Sequence, residues 1–234
     1  MQKKIILLKI TGEVLAGDDK QIDISRIIPL ANQIKKLNHS HYFGIVIGGG
    51  NFFRGSKQGP TLGLTPFVAD QIGMLATMMN GLIINDLFQK AGIESSLLNA
   101  LPLPEVGKPI TQDIIKSALS KNKCLIFCGG TGNPFFSTDT TAVLRGLQIE
   151  AVEIWKGTNV DGVYSDDPNK NPDSKLLSTI SFTQMLNERL KIMDAPAIAL
   201  AQQHDLLIRV FNIFKPEALM QAAENDTFGS KITP

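Results

Sequence analysis

Short apolar runs alternate along the chain with stretches whose apolar residues recur every three or four positions. Residues 3–10 (KKIILLKI) are a compact apolar run edged by lysines, which predicts a buried strand. In residues 23–37, Ile24, Ile27, Ile28, Ala31, Ile34 and Leu37 keep the spacing of one helical stripe. A second strand pattern from Phe43 runs straight into Gly48, Gly49 and Gly50. From Phe67 to Ala91 the pattern is helical but too wide for one core-facing stripe, with Ile72, Met74, Leu75, Met78, Met79, Leu82, Ile83 and Leu87. Further strands are predicted at 94–98, 125–127, 151–156 and 206–211, and helices at 113–119, 142–149, 182–190, 195–204 and after Pro216. A last short extended piece follows. Pro102, Pro104, Gly107 and Pro109 mark a loop, and 169–174 (NKNPDS) is polar enough for an exposed one. Strands alternating with helices predict an α/β fold, a largely parallel sheet covered on both faces with ligands beyond the carboxyl ends of its strands.

Composition narrows the classes. A chain of 234 residues can bury a sizeable core as one domain or two closely joined lobes. Lys plus Arg total 23 against 22 Asp plus Glu, so no basic field points to nucleic acid. The first apolar run is interrupted by Lys9, too early for a signal peptide or a membrane span, and the simplest location is the cytoplasm. Cys124 and Cys128 have no second pair to complete a zinc site; four apart on a strand they share one face and read as reduced core residues.

The candidate chemistry lies where strands end. Residues 124–141 (CLIFCGGTGNPFFSTDTT) pass from an apolar strand through three glycines into hydroxyls, an aspartate and a helix start. Glycines let backbone approach a ligand and helix N-termini attract anions, so a phosphate site is predicted. An ordinary helix start capped by Ser137, Thr138 or Asp139 accounts for any one of these residues, but not for the combination. Lys9, leaving a strand just before Gly12, is placed either to reach a phosphate or to lie at the surface. Arg54, shortly after the three glycines, supplies planar donors suited to phosphate oxygens. Gly48, Gly49, Gly50 and Gly55 do not fit G-x-G-x-x-G, and no segment fits G-x-x-x-x-G-K-[ST]. The wide helix is either plain core or a contact with another copy of the chain. His39, His41 and His204 fall in or near connections and read as structural or solvated.

Read together and in order, KITGE (9–13), GIVIGGGNFFRG, DQIGMLATMMNGL, GGTGNPFFSTDT, TNVDGVYSDDPNKNPD, LKIMD and IRVFNIFKP resemble the bacterial uridylate kinases of the amino acid kinase family. GTGNPFF with DGVY-x-x-DP separates this pattern from the family's aspartate, glutamate and carbamate kinases. The resemblance implies one domain, a three-layer α/β/α sandwich, with roughly residues 1–150 binding UMP and forming subunit contacts and 151–234 binding ATP. It implies transfer of the ATP γ-phosphoryl group to UMP with Mg²⁺, in a homohexamer joined through the helix from Phe67 to Ala91. GTP is then a candidate activator and UTP a candidate inhibitor.

Residue by residue, it places Lys9, Thr11, Gly12, Gly50 and Arg54 at the ATP phosphates and Thr158, Asn159, Tyr164 and Asp167 around the adenine nucleotide. Gly49 and Asp70 fall on UMP, Asp70 at its ribose, with Thr131, Gly132, Asn133, Pro134, Phe135, Phe136, Ser137 and Thr138 as the UMP loop. Lys9, Arg54, Asp139 and Asp194 form the implied catalytic group. Thr11 stands where Ser is commoner, and Gly157 replaces a residue with a side chain, which is expected to loosen the adenine loop. Residues 103–113, near the implied GTP site, depart most from the pattern. The fold also hosts non-catalytic storage proteins, but a lysine aimed at a transferred group argues for a kinase.

Overall fold

The computed structural model of the chain describes residues 3–17, 22–166, 168, 170–171, 173–188, 190 and 192–234. Its strands are β1 (Lys4–Ile10), β2 (His41–Ile47), β3 (Ser95–Asn99), β4 (Lys108–Pro109), β5 (Cys124–Cys128), β6 (Glu153–Thr158), β7 (Val163–Tyr164), β8 (Leu176–Leu177), β9 (Thr179–Ser181), β10 (Leu207–Asn212) and β11 (Ser230–Thr233). Its α-helices are α1 (Ile24–Leu37), α2 (Gly55–Thr61), α3 (Pro66–Lys90), α4 (Gln112–Ser120), α5 (Thr138–Gln148), α6 (Phe182–Asn187), α7 (Ala195–Gln203) and α8 (Ala218–Glu224).

One sheet carries nine strands in the order β4-β3-β5-β2-β1-β6-β10-β11-β9, while β7 and β8 form a small hairpin. Every pairing in the large sheet is parallel except β10 with β11. Helices cover both faces, as the repeated strand–helix alternation requires. On one face Ile6, Leu8, Ile10, Trp155 and Cys124 pack with α1, α3 and α8; on the other, Leu7, Val46, Phe127 and Ile154 pack with α4, α5, α6 and α7. The result is the three-layer α/β/α sandwich. Both cysteines are buried on the first face, where desolvation pushes their thiols up to about 12, as inert core groups.

Helix starts are locally specified. Asp23 accepts from the Ser25 N–H, Thr111 from Ile114 and Ser181 from Gln184, each capping the helix that follows. The pattern runs α6 on to Leu190, but the helix closes at Asn187; Leu190 returns its N–H to the Met185 carbonyl at 3.2 Å and packs against the core after the turn. Helix α2, rich in glycine, is not signalled by periodicity. It packs against α3, where a Cβ added at Gly59 would lie a tight 3.1 Å from Ala69 Cβ, and one at Gly55 would be in ordinary contact with the same residue. His41 is a strand residue rather than a connection: it is buried beside Trp155, and burial, then Lys4, lowers its pKa.

Helix α3 is long and apolar enough, by length and composition, to cross a membrane. It nevertheless packs against β3, β5 and α2, with its inward side buried and Leu75, Met79 and Leu82 about half exposed on the other.

Candidate active site

Strands β5, β2, β1 and β6 are adjacent and parallel, so their glycine-bearing ends meet along one edge of the sheet. Two cavities open there. The first, about 350 Å³, is bounded by Gly49, Gly50, Asp70, Gly130, Thr138 and Thr141 among others. The second, about 580 Å³, is bounded by Lys9, Thr11, Lys156, Thr158, Asn159 and Tyr164 among others. They approach each other at Gly48: a Cβ built there would lie 3.4 Å from the Gly12 nitrogen, 3.8 Å from Thr11 Cα and 3.6 Å from Thr138 Oγ1. Ligands in the two cavities therefore face each other across a seam of backbone.

The first cavity is shaped by close packing. At Gly49 an added Cβ would fall 2.7 Å from Ala76 Cβ and 2.9 Å from the Gly73 carbonyl. Gly49→Ala is expected to displace the loop, costing about 1–3 kcal/mol in chemical denaturation and raising KM for the ligand of this cavity. Unchanged stability and KM would show that the loop has room to give. The helix start of α5 is capped by Ser137, whose Oγ accepts the Asp139 and Thr140 N–H groups at 3.0 and 3.1 Å. Asp70 Oδ2 accepts the Phe135 N–H at 2.7 Å, holding an exposed residue whose φ is +69°, in the left-handed region. Arg145 donates to the Gly130 carbonyl at 2.8 Å, and burial lowers its pKa to about 10.

Between the cavities lies a buried charge cluster. Lys9 and Lys156 are register partners on β1 and β6, and both reach Asp139 on α5. Lys9 Nζ lies 3.1 Å from Asp139 Oδ1, a charge contact without hydrogen-bond alignment; Lys156 Nζ donates to Oδ2 at 2.6 Å and also to the Ile192 carbonyl. Burial pushes the Asp139 carboxyl up, but Lys9 and Lys156 together hold it below the usual carboxylate range. Burial lowers the Lys156 ammonium to about 8, with Asp139 opposing the shift. Asp194, at the N-cap of α7, accepts from Thr140 Oγ1 at 3.0 Å through Oδ2, while its buried Oδ1 has no partner among the described residues.

These placements sort the expected residues. Lys9, Thr11, Thr158, Asn159 and Tyr164 line the second cavity. Gly49, Asp70, Asn133, Phe136, Ser137 and Thr138 line the first, and so does Gly50, which was expected on the ATP side. Thr131, Gly132, Pro134 and Phe135 belong to the same loop without lining either cavity; Thr131 Oγ1 braces Asn133 from within. Gly12 sits under Asn51 and the Gly48 carbonyl at the seam. Arg54 lines neither cavity: it pairs with Glu13 and donates to the Gly50 carbonyl at 3.3 Å, joining the loops after β1 and β2. Asp167 lies outside the described residues. At Gly157 an added Cβ would lie 2.6 Å from Ile213 Cδ1, so Ile213 fills the space that a side chain here would need. Lys156 is the functional candidate that sequence reading missed, although it repeats the Lys9 signal, a lysine one or two residues before the end of an apolar strand.

For a metal travelling with a nucleotide, the unpartnered Asp194 Oδ1 is a suitable hard oxygen. Among the described residues no cluster of three or more His, Cys, Asp or Glu is present, so most of a cation's ligands would have to come from phosphates and water.

Two cavities meeting at a lysine-bearing seam on the edge of a parallel sheet suit an α/β protein of the small-molecule phosphotransferase class. The sequence model of the amino acid kinase family matches residues 4–212. The chain belongs to that family. It is 44% identical to the uridylate kinase of Colwellia psychrerythraea over 97% of this chain and 93% of the relative, and equally to that of Sodalis glossinidius over 97% and 95%. Its structure is similar to that of UMP kinase from Ureaplasma parvum, with TM-score 0.95, 36% identity and complete coverage of both chains. UMP kinase from Bacillus anthracis aligns with TM-score 0.94 at 28% identity, over 98% of this chain and 96% of that one.

Proposed function

We propose that this protein is a UMP kinase, transferring the γ-phosphoryl group of ATP to UMP to give ADP and UDP. The meeting of the two cavities at Gly48, beside Lys9, Asp139 and Lys156, carries this reading. The names of the relatives supply the substrates. UMP belongs in the first cavity, with its ribose toward Asp70, and ATP in the second, between Thr158, Asn159 and Tyr164. Asp167 is assigned to the same nucleotide on the resemblance alone. In domain terms the acceptor site is built from residues 46–141, and the donor site from Lys9, Thr11 and residues 156–192. This fits one domain with a UMP half and an ATP half.

A UMP phosphate oxygen attacks the γ-phosphorus as the bond to the β-phosphate oxygen breaks. The attacking phosphate is largely ionised near neutral pH, its second pKa being about 6, so no strong general base is needed. The cluster instead positions and neutralises. Lys9 and Lys156 spread positive charge over the moving group, and Asp139 holds both ammonium groups in place. Arg54 ties the two loops that flank the phosphates. Mg²⁺ bound with ATP would neutralise phosphate charge, with Asp194 Oδ1 as its protein contact.

The apolar outward side of α3 fits a second copy of the chain, and the reading includes a homohexamer built through it, in the cytoplasm where nucleotides are found. Light scattering on the intact protein tests the assembly; a monomer at micromolar concentration removes that part. The decisive experiment is ADP release from ATP and Mg²⁺ with UMP, CMP, dUMP, GMP and AMP offered in turn. Turnover confined largely to UMP supports the assignment, and GTP and UTP are the effectors to titrate next. No turnover with any of them, with ATP binding intact, overturns it in favour of a nucleotide-binding protein.

A further inference from the structure

The inward side of α3 carries polar groups where an apolar stripe would pack more simply. Asn80 is fully buried, and Thr77, one turn earlier, nearly so. Neither residue favours a helix interior, and each spends its side chain on a loop of the site. Asn80 Nδ2 donates to the Gly48 carbonyl and to Asn51 Oδ1, both at 2.7 Å, and Asn51 Nδ2 donates back to Asn80 Oδ1 at 3.1 Å. The two amides form a closed pair, and Asn51 in turn covers Gly12, where an added Cβ would lie 2.2 Å from Asn51 Oδ1. Thr77 Oγ1 accepts the Gly129 N–H at 2.8 Å and donates to the Met74 carbonyl at 2.7 Å. Gly129 leads into Gly130, a wall of the first cavity.

We infer that Asn80 and Thr77 are positioning residues for phosphoryl transfer: Asn80 fixes the spacing of the loops at 11–12 and 48–50, and Thr77 fixes the loop at 129–130. The inference rests on the kinase reading above. Asn80 acts where donor and acceptor phosphates must align, while Thr77, which itself lines the first cavity, acts on the acceptor side alone. Their effects therefore separate. Misalignment by a fraction of an ångström lowers the rate without changing what binds, whereas a displaced wall weakens acceptor binding.

The test uses the intact protein with Asn80→Asp, which keeps the shape but replaces the donor by an acceptor, and Thr77→Val, which removes the hydroxyl. Asn80→Asp is expected to lower kcat about 10- to 100-fold, with KM for ATP within about threefold of wild type and KM for UMP raised only as far as Gly49 and Gly50 shift in the first cavity. Thr77→Val is expected to raise KM for UMP about 5- to 10-fold and leave kcat nearer wild type. Rates are normalised to binding sites counted by calorimetry, so that a loss of folded protein is not read as a loss of alignment. Asn51→Ala leaves the Asn80 bond to Gly48 in place and is the milder variant should Asn80→Asp fold poorly. It should lower kcat in the same direction.

Hydrogen exchange supplies an arm independent of turnover. Amides at 48–51 should exchange faster in Asn80→Asp or Asn51→Ala, and those at 129–130 faster in Thr77→Val, with β1 and β6 unchanged. Rates that fall only with the count of binding sites, or exchange unchanged in both loops, would overturn the inference. A wild-type protein inactive on UMP sinks the kinase reading instead, and loop exchange still decides whether these two residues hold the loops.

Discussion

Replacing Lys9 with Met lowers kcat for UMP phosphorylation by about 10²- to 10³-fold, the cost expected on losing one preorganised donor to transition-state charge, while UMP affinity stays within about threefold. Lys9 lines the second cavity and not the first, so the acceptor keeps all its contacts. Methionine fills nearly the same volume, and the site is buried, which limits the cost in packing. Asp139 retains Lys156 as a partner at 2.6 Å and is not left as an isolated buried charge. What disappears is one ammonium beside the transferred group. Calorimetry for UMP and steady-state kinetics on one preparation check the split. A kcat near wild type would remove Lys9 from the chemistry, and a joint collapse of kcat and UMP binding would show that it supports the fold instead.

The placement of that lysine was legible because its signal is local. An apolar run that ends in a lysine and then glycine can be recognised within ten residues, and so can three strands that each run into glycines. Parallel topology then carries those ends to one edge. The cap at Ser137 follows from the same local chemistry, although three hydroxyl or carboxylate residues competed for the role. What escaped depends on pairs distant in sequence. Lys156 gains its meaning from lying beside Lys9 in register across two strands, and that adjacency is absent from the linear order.

At Gly157 the packing partner is Ile213, just after β10 and 56 residues away in sequence, which no local pattern signals. The resemblance puts Asp70 at the UMP ribose, and its carboxylate also anchors a loop 65 residues away. Arg54 reads as a phosphate donor, and its partner Glu13 shows that it also joins two loops. Helix α2 carries no amphipathic pattern, and its glycines, poor helix formers, give no helical signal even though Gly59 packs closely on Ala69.

Asp139→Asn is expected to affect stability and rate together, with a dependence on pH that identifies the cause. The amide keeps the shape but leaves Lys9 and Lys156, both less than a tenth exposed, without their shared counter-charge. Removing one partner of a buried ion pair costs about 3–5 kcal/mol. The protein's own response is to release a proton. Burial already lowers Lys156 to about 8, and Asp139 is the first group opposing that shift, so the variant's Lys156 titrates lower still.

The sign of the linkage follows from proton counts. Between about 8 and the ordinary lysine value of 10.5 the unfolded chain binds more protons at Lys156 than the folded one, so wild-type stability gains with rising pH in that window. In the variant the window extends to lower pH. Asp139 itself, with a lowered pKa, contributes stability that is present above the unfolded carboxylate range and lost as pH falls through its folded value. The difference between wild type and variant in urea denaturation should therefore be largest in mildly acidic solution, below the variant's Lys156 value and above the carboxylate range. It should narrow as pH rises toward about 8, where only the wild-type Lys156 is still charged in the folded state, level off above that, and narrow again in stronger acid as Asp139 protonates. The variant's kcat/KM for ATP should fall with rising pH earlier than that of wild type, because a neutral Lys156 holds less phosphate charge. A stability difference that is absent in mildly acidic solution, or that does not narrow as pH rises toward 8, would mean that Asp139 does not hold the two lysines charged.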